Sequence, residues 1–582
     1  MTPTTQRKAN TGQHRRRRRS RNQTAPGQSS PKLRLIPLGG MEEVGRNSMI
    51  LEYGKDILII DLGLQFPEED MPGVDYSIPN ISYLKGKEKN VRGILITHGH
   101  YDHIGGVPHL VHKLGNPTIY GSDLTLALIK KKQEDINPQH KLRLVTVKKD
   151  TKLKIGPFRI EFVGLSHNIP ASFGIIIHTP LGPVMHTGDF KIDHKGGYRN
   201  ETDIQKIERL KKMRMLALMC DSTNAPHQGH QLSESEITQN LEEMFKRAKG
   251  RIIFATFASL LTRIQQIVWL AEKHNRKVQV EGFSMRTNIE IAKQLGYLKS
   301  KKNTFVKDKE AAKLPDSRRV ILSTGAQGEE RAVLMRMANG EHKYLKIQKG
   351  DLVVFSSSVV PGNERAVQRL KDGLFREGAD VYDNQMLDIH AGGHAKSEDL
   401  RWFIRTIRPQ YFIPIEGNHS FLRMNARYAM EEGMAEDHVL VADNGQVIEF
   451  TKQGGKLTKE YVPTDHVFVD GLGVGDVSHV VLRDRKHLSA DGMVLIVATV
   501  DGRTGRPLGK PDIITRGFIF PQSNQQLLNE IRKTVQGELK DTEPKTQANE
   551  ADLRNKIRKA LEKLIFKRIE RTPMILPVII VT

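Results

Sequence analysis

The sequence predicts an α/β protein in which buried strands alternate with helices, closed by a small α+β domain. Three observations carry that expectation. First, short apolar runs recur from Leu33 onward and end in clusters of Gly, His, Asp, Ser or Thr. Residues 57–60 lead to Asp61, 93–97 to His98, 158–163 to His167, 184–185 to His186 and Asp189, and 215–219 to Asp221. Further runs at 252–256, 320–322, 352–355 and 411–415 follow the same rule, the last reaching Glu416. Short apolar runs bounded by Gly and polar residues read as buried strands. Second, the stretches between them carry helical periodicity. Residues 233–247 open on Ser233-Glu234-Ser235-Glu236, a capping-box pattern, and put Ile237, Leu241, Met244 and Phe245 on one stripe. Residues 262–274 do the same with Ile264, Ile267, Val268, Leu270 and Ala271. Third, Lys452-Gln453-Gly454-Gly455-Lys456 punctuates the chain. Beyond it the pattern predicts a strand over 493–500, helices over 525–539 and up to Arg571, and a final strand over 574–581. In α/β proteins ligands gather beyond strand ends, so these termini imply one large site or two adjoining ones.

Composition narrows the function classes. The formal charge is +23 over 582 residues, and part of it is a tail: residues 1–31 hold five consecutive arginines, Arg15 to Arg19, and no acid. Such a block repels itself and is expected to be disordered. The remainder is still basic, which points to a polyanionic partner, nucleic acid above all; the plainer reading is a solubility tail on a basic protein. The single cysteine, Cys220, excludes an intramolecular disulfide framework and fits a reducing cytoplasm. It also excludes a multi-cysteine zinc site, so any metal must sit on histidine and carboxylate. No apolar run approaches the ~18 residues of a membrane span, and no apolar stretch backs the basic N-terminus as a secretory signal would.

The run His98-Gly99-His100-Tyr101-Asp102-His103 is the seed of a metal site. On an extended loop His98 and His100 point to one side and can share a cation. Asp102 and His103 can face a second. Imidazole and carboxylate are the donors of catalytic zinc sites, which keep a position open for water. Paired cations about 3.5–4 Å apart clamp the attacking and leaving oxygens of a phosphoryl displacement. His167 and Asp189, each behind its own strand, are further ligand candidates. His178 and His186 lie inside apolar stretches and read as packed residues.

These residues resemble the metallo-β-lactamase superfamily, in which such a loop is followed by a lone His and a lone Asp. Asp221-Ser222-Thr223-Asn224, Thr324-Gly325-Ala326-Gln327-Gly328-Glu329, Ser356-Ser357-Ser358 with Pro361-Gly362-Asn363-Glu364, and His390-Ala391-Gly392-Gly393-His394-Ala395 resemble its β-CASP branch, and within it the ribonuclease J family. Asp470-Gly471-Leu472-Gly473-Val474-Gly475-Asp476-Val477, Leu482-Arg483-Asp484-Arg485 and Pro511-Asp512-Ile513-Ile514 resemble that family's small C-terminal domain. The resemblance implies a four-layer αββα core over 32–225 and 372–450, a β-CASP domain over 226–371, a linker over 451–464 and an α+β domain over 465–582. It implies a 5′-to-3′ exonuclease and endonuclease acting on RNA in maturation and decay, with two Zn²⁺ per subunit. His98, His100 and His167 would hold one cation, Asp102 and His103 the other, and Asp189 would bridge them. His394 would donate a proton to the leaving oxygen, oriented by Asp221, with Asp102 also in the catalytic set. Ala258, Ser259 and Leu260, Ser356, Ser357 and Ser358, and His390, Ala391, Gly392, Gly393 and His394 would grip the nucleotide. A homodimer or homotetramer through the C-terminal domain, and partners in RNA decay, follow from the same likeness.

The chain departs from that pattern in three places. The last ligand is usually a His in Pro-x-His-Gly, whereas Pro414-Ile415-Glu416-Gly417 puts Glu416 there. Glu binds zinc, and a harder oxygen donor also suits Mn²⁺ or Mg²⁺; His419 is a substitute if the loop is reshaped. The usual Ser of the nucleotide loop is Gly392. Phe257-Ala258-Ser259-Leu260-Leu261 lacks the Asn and His common after the Ser. The alternatives left open are a β-CASP DNA nuclease and a catalytically weakened RNA-binding scaffold.

Overall fold

We analysed a computed structural model of the chain, which describes residues 1–2, 4, 31–68, 71–195, 203–360, 362–504, 506–540 and 547–582. The expected basic tail lies almost wholly outside these residues.

Two large sheets stack face to face. The first has eight strands in the order Gly454–Tyr461, Gln446–Thr451, Leu33–Gly39, Ser48–Tyr53, Asp56–Ile60, Val91–Leu95, Ile119–Gly121 and Leu144–Thr146. The second has six, in the order Tyr411–Ile415, Ala217–Asp221, Gly182–His186, Phe173–Thr179, Phe158–Gly164 and Lys152–Ile155. Successive side chains on a strand face opposite ways, and the strands are apolar on both faces. Leu35, Leu51, Leu58 and Ile60 meet Ile175, Ile177, Met219 and Ile413 between the sheets. Ile36, Ile50, Ile57 and Ile59 instead pack outward with Val107, Leu110 and Leu124. Ile176, Leu218 and Phe412 pack outward on the other side with Leu400, Phe403 and Ile404 of the helix Ser397–Ile407. This is the αββα layering expected.

The chain leaves the second sheet after Asp221 and returns with Tyr411–Ile415, which pairs parallel to Ala217–Asp221. Between them lies a separate parallel sheet of five strands: Lys277–Val280, Arg319–Ser323, Ile252–Ala255, Leu352–Phe355 and Asp380–Tyr382. The helix Glu234–Arg247 leads into it, capped by Ser233 in the box read from sequence.

Two boundaries need correction. The inserted unit was expected to stop at residue 371. It continues, because Asp380–Tyr382 pairs with Leu352–Phe355, and Val367, Leu370 and Leu374 of the helix Glu364–Arg376 pack on this sheet. The stretch 451–464, expected as a linker, carries the strand Gly454–Tyr461, hairpinned onto Gln446–Thr451. Lys452 and Gln453 make the turn, Gly454 and Gly455 open the strand, and the following KLTKEY is the polar, alternating pattern of an edge strand. Next, Val467–Asp470 pairs with Tyr76–Ile78, so the C-terminal segment is stitched to the core before its own sheet begins. That sheet runs Asp512–Arg516, Met493–Val500, Met574–Val581, with the helices Gln525–Lys540 and Gln547–Ile569 over one face. Among the described residues no helix is long and apolar enough to cross a membrane.

Candidate metal centre

The reactive strand ends converge at one edge of the stacked sheets. His98 follows the strand Val91–Leu95, and the helical turn Tyr101–Ile104 presents Asp102 and His103. His167, Asp189, Asp221 and Glu416 follow or end strands of the second sheet. His98 Nε2 lies 3.1 Å and His167 Nε2 3.0 Å from His100 Nδ1. Asp189 Oδ2 is 3.5 Å from both His98 Nε2 and His167 Nε2. Its other oxygen, Oδ1, is 3.2 Å from His103 Nε2, which in turn is 3.5 Å from Asp102 Oδ2. Asp189 thus gives one oxygen to each of two donor clusters: His98, His100 and His167 on one side, Asp102 and His103 on the other. Burial, with His103 nearby, holds His98 well below the usual histidine range, and burial does the same to His167, so both present lone pairs. Burial would also depress His103, but the carboxylates of Asp189, Asp102 and Asp61 outweigh it and raise it.

Glu416 is 5 % exposed and sits at φ 59°, a left-handed conformation that costs a non-glycine residue energy. Neither of its carboxylate oxygens has a hydrogen-bond partner. Burial, and the negative charge of Asp189, push it well above the usual carboxylate range. One of its oxygens, one oxygen of Asp61 and one imidazole nitrogen of His103 lie within 4.8 Å of one another. A buried carboxylate with no donor beside it is what an oxygen-accepting divalent cation would satisfy. The donor sets therefore fit metal on both sides of Asp189.

His394 stands at the mouth. Its Nδ1 is 2.8 Å from Asp221 Oδ2, and its Nε2 is 3.8 Å from Asp189 Oδ2. Burial would lower it, but Asp221 and Asp189 raise it to about 9. Asp221 is fixed in turn, accepting from the backbone of Thr223 at 2.9 Å.

The loops expected to grip a nucleotide differ in the freedom of their side chains. Gly393 C=O lies 2.7 Å from His167 Nδ1, and a Cβ at Gly393 would meet that ring at 2.3 Å, so this glycine is required. The space a Ser at Gly392 would need is taken by the amides of Gln231 and Asn224, which donate to His394 C=O at 2.9 and 3.1 Å. Ser357 Oγ and His390 Nδ1 are buried without partners. Ser358 is exposed, Ala391 is buried, and Ala258, Ser259 and Leu260 form the turn before the helix Leu261–Lys273. Ser356 is a correction: its hydroxyl is buried, donates to Ile389 C=O at 2.7 Å and accepts from Arg263 Nη1 at 2.7 Å, leaving nothing for a phosphate. His186 stays out of both clusters, 4.0 Å from Glu416 Oε1, and His419 points away to Glu42 at 3.0 Å.

Sequence reasoning missed Asp61. Its Oδ2 accepts from Thr97 Oγ1 at 2.7 Å and lies 2.8 Å from His103 Nδ1, which turns Nε2 toward Asp189. Its signal was positional, an acid at a strand end aligned with the others. Gln231 and Asn47, whose Nδ2 lies 2.9 Å from His103 Nε2, gave no such signal.

Comparison with known proteins agrees with this geometry. The metallo-β-lactamase superfamily matches residues 41–247, the ribonuclease J β-CASP domain 249–374 and the ribonuclease J C-terminal domain 480–582. The chain is 37% identical over 546 residues to "Ribonuclease J 1" of Streptococcus pyogenes, covering 94% of this chain and 97% of that one. It is 35% identical over 547 residues to "Ribonuclease J2" of Bacillus subtilis, covering 94% and 98%. Among solved structures, a protein of unknown function from Enterococcus faecalis aligns with TM-score 0.50 at 16% identity, over 72% of this chain and all of that one.

Proposed function

The chain belongs to the ribonuclease J family of metal-dependent ribonucleases, and from that premise we propose that it is a two-cation RNA hydrolase working from the 5′ end with additional internal cleavage. The observation that carries the proposal is Asp189, one oxygen turned to each donor cluster, beside the His394–Asp221 pair. His98, His100 and His167 would hold one cation, Asp102, His103 and Glu416 the other, with Asp189 between. Zinc suits the first set; the oxygen-rich second set also suits Mn²⁺ or Mg²⁺. Such cations neutralise phosphate charge and lower the pKa of water. The residues supply the rest. Asp221 accepts the Nδ1 proton of His394, which fixes the ring and leaves the Nε2 proton facing the site. The Asp221 carboxylate beside it favours the imidazolium, which can give that proton to the departing ribose oxygen. Asp61 plays the orienting role for His103 that Gly393 C=O plays for His167. Ser357, Ser358 and His390 remain as nucleotide contacts, with Ala258, Ser259 and Leu260 opposite. The reading places the chain in RNA maturation and decay, in the cytoplasm, as a homodimer or homotetramer.

Incubating 5′-monophosphate and 5′-triphosphate RNAs with the protein and Zn²⁺, Mn²⁺ or Mg²⁺ tests this. Mononucleotides from the 5′ end support it. Internal fragments alone would remove the exonuclease reading. RNA binding without cleavage would replace it with a scaffold.

A further inference from the structure

A second donor cluster lies away from the catalytic centre. His194 Nε2 and His230 Nδ1 each approach Asp399 Oδ1 to 2.7 Å, and the two rings cross at 75° with centroids 4.5 Å apart. Asp399 is fully buried, His194 partly so, and His230 is more than half exposed. The other oxygen of Asp399, Oδ2, accepts from the backbone N–H of Gln231 at 2.9 Å and of Lys396 at 3.4 Å. Those anchors aim Oδ1 outward between the two imidazoles, the arrangement that outer-shell hydrogen bonds give a ligating carboxylate.

We propose that His194, His230 and Asp399 form a structural site for a divalent transition cation, with Zn²⁺ the best fit and water as the fourth ligand. Two imidazoles and one carboxylate with an open side are a zinc donor set. Donors on one tetrahedral Zn²⁺ stand ~3.3 Å apart. Seating an ion therefore asks both imidazoles to draw back from Asp399 Oδ1 by about half an ångström, which the exposed His230 and the partly exposed His194 are free to do. The ordinary alternative is that two neutral imidazoles simply donate to Asp399.

The placement gives the site its consequence. His194 lies on the loop that begins at Asp189, His230 on the path from Asp221 into the inserted sheet, and Asp399 in the first turn of the helix that follows His394. A cation would tie the exit and return of the inserted unit to the loop of the bridging carboxylate. It would clamp the catalytic loops without touching substrate.

The test uses the full chain in paired backgrounds. Zn²⁺ content after dialysis is measured on the wild type and on His230→Ala, and again on both in a His98→Ala/His100→Ala background, so that the catalytic centre cancels. A loss of one equivalent on His230→Ala in both pairs is expected. Co²⁺ should give visible absorption bands in the catalytic double variant that weaken by one site's worth with His230→Ala, and Zn²⁺ should raise the Tm of the double variant more than that of the triple one. Equal metal content with and without His230 overturns the proposal. If His230→Ala lowers helical content, His194→Gln serves in its place with the same two outcomes.

Discussion

At the residue scale the chemistry turns on Glu416. Its carboxylate is held in a left-handed backbone turn with both oxygens unpartnered, and strain of that kind persists only where the surroundings impose it. If Glu416 serves the second cation, Glu416→Ala should lower metal content by about one equivalent per chain, while Glu416→His restores it. Elemental analysis decides: stoichiometry unchanged in the alanine variant sinks the role. For His394, Asp221→Asn keeps the shape of the pair but removes the charge that orients and raises the imidazole. Cleavage should fall by roughly 10²- to 10⁴-fold, the range for a positioned acid, with RNA affinity held; equal loss of both would mark Asp221 as merely structural. The proposed metal ligands were legible because HxHxDH and the lone His and Asp stand where strands end, so chain pattern and chemistry coincide. Asp61 and Gln231 were less legible because their work is done through another side chain across the fold. Ser356 misled for the converse reason: a serine in a Gly-flanked loop looks like a phosphate contact until Arg263, remote in sequence, claims its hydroxyl.

At the element scale the inserted sheet is joined to the core by a buried ionic network. Arg263, on the helix Leu261–Lys273, donates to Glu234 Oε2 at 3.1 Å, and Gln266 Nε2 reaches the same oxygen at 2.9 Å. Lys191, two residues past Asp189, binds the other oxygen of Glu234. Burial would raise Glu234, but Lys191 and Arg263 hold it well below the usual carboxylate range. Arg263→Ala removes one of the two cations that offset the buried Glu234 and leaves Lys191 as the other, so it should cost up to about 3–5 kcal/mol of unfolding free energy. A denaturant midpoint unchanged from wild type would show that Glu234 is satisfied without it. The same network governs a pH effect. Burial, then the charges of Arg263 and Lys191, lower His390 to about 3. An unfolded histidine titrates near ~6.5, so the unfolded chain takes up the proton first. Stability is then lost as pH falls through about 6.5 toward about 3, and nothing is lost above it. Between about pH 6.5 and about pH 5 this group contributes at most ~2 kcal/mol. His390→Gln should flatten that part of the urea-unfolding profile; a slope identical to wild type would mean His390 is hydrated. Strands and helices here were readable from periodicity alone, down to the strand bounds Met493–Val500 and Met574–Val581. The domain borders were not, because a polar, Gly-containing stretch such as 452–456 fits a hairpin as readily as a linker, and pairing between distant strands leaves no local trace.

At the scale of the whole molecule the C-terminal sheet has one covered face and one bare one. The helices bury Val494, Ile496, Ile575 and Ile579. On the opposite face Ile514, Leu495 and Leu576 line up across the three strands, with Val497 beside Val578 in the next row. Ile514, Leu576, Val578 and Ile580 are each about two-fifths exposed. A contiguous apolar face of this kind marks a site of association. Of the sheet's two edges, Met574–Val581 is a poor place for another chain to add because Pro577 lacks a backbone donor, and Asp512–Arg516 is short and charged at both ends. Association is therefore expected through the face, by a second copy of the chain, which would present the same row in a self-complementary contact. Covering each aliphatic side chain from its present exposure contributes on the order of 1 kcal/mol, and association itself costs several, so the margin rests on a handful of residues. A single buried charge exceeds what any one of them contributes. If copies associate through this face, the wild type should sediment as a dimer or larger and Val578→Glu as a monomer, with thermal unfolding of the catalytic core left in place. A variant that sediments as the wild type does would move the interface elsewhere on the molecule.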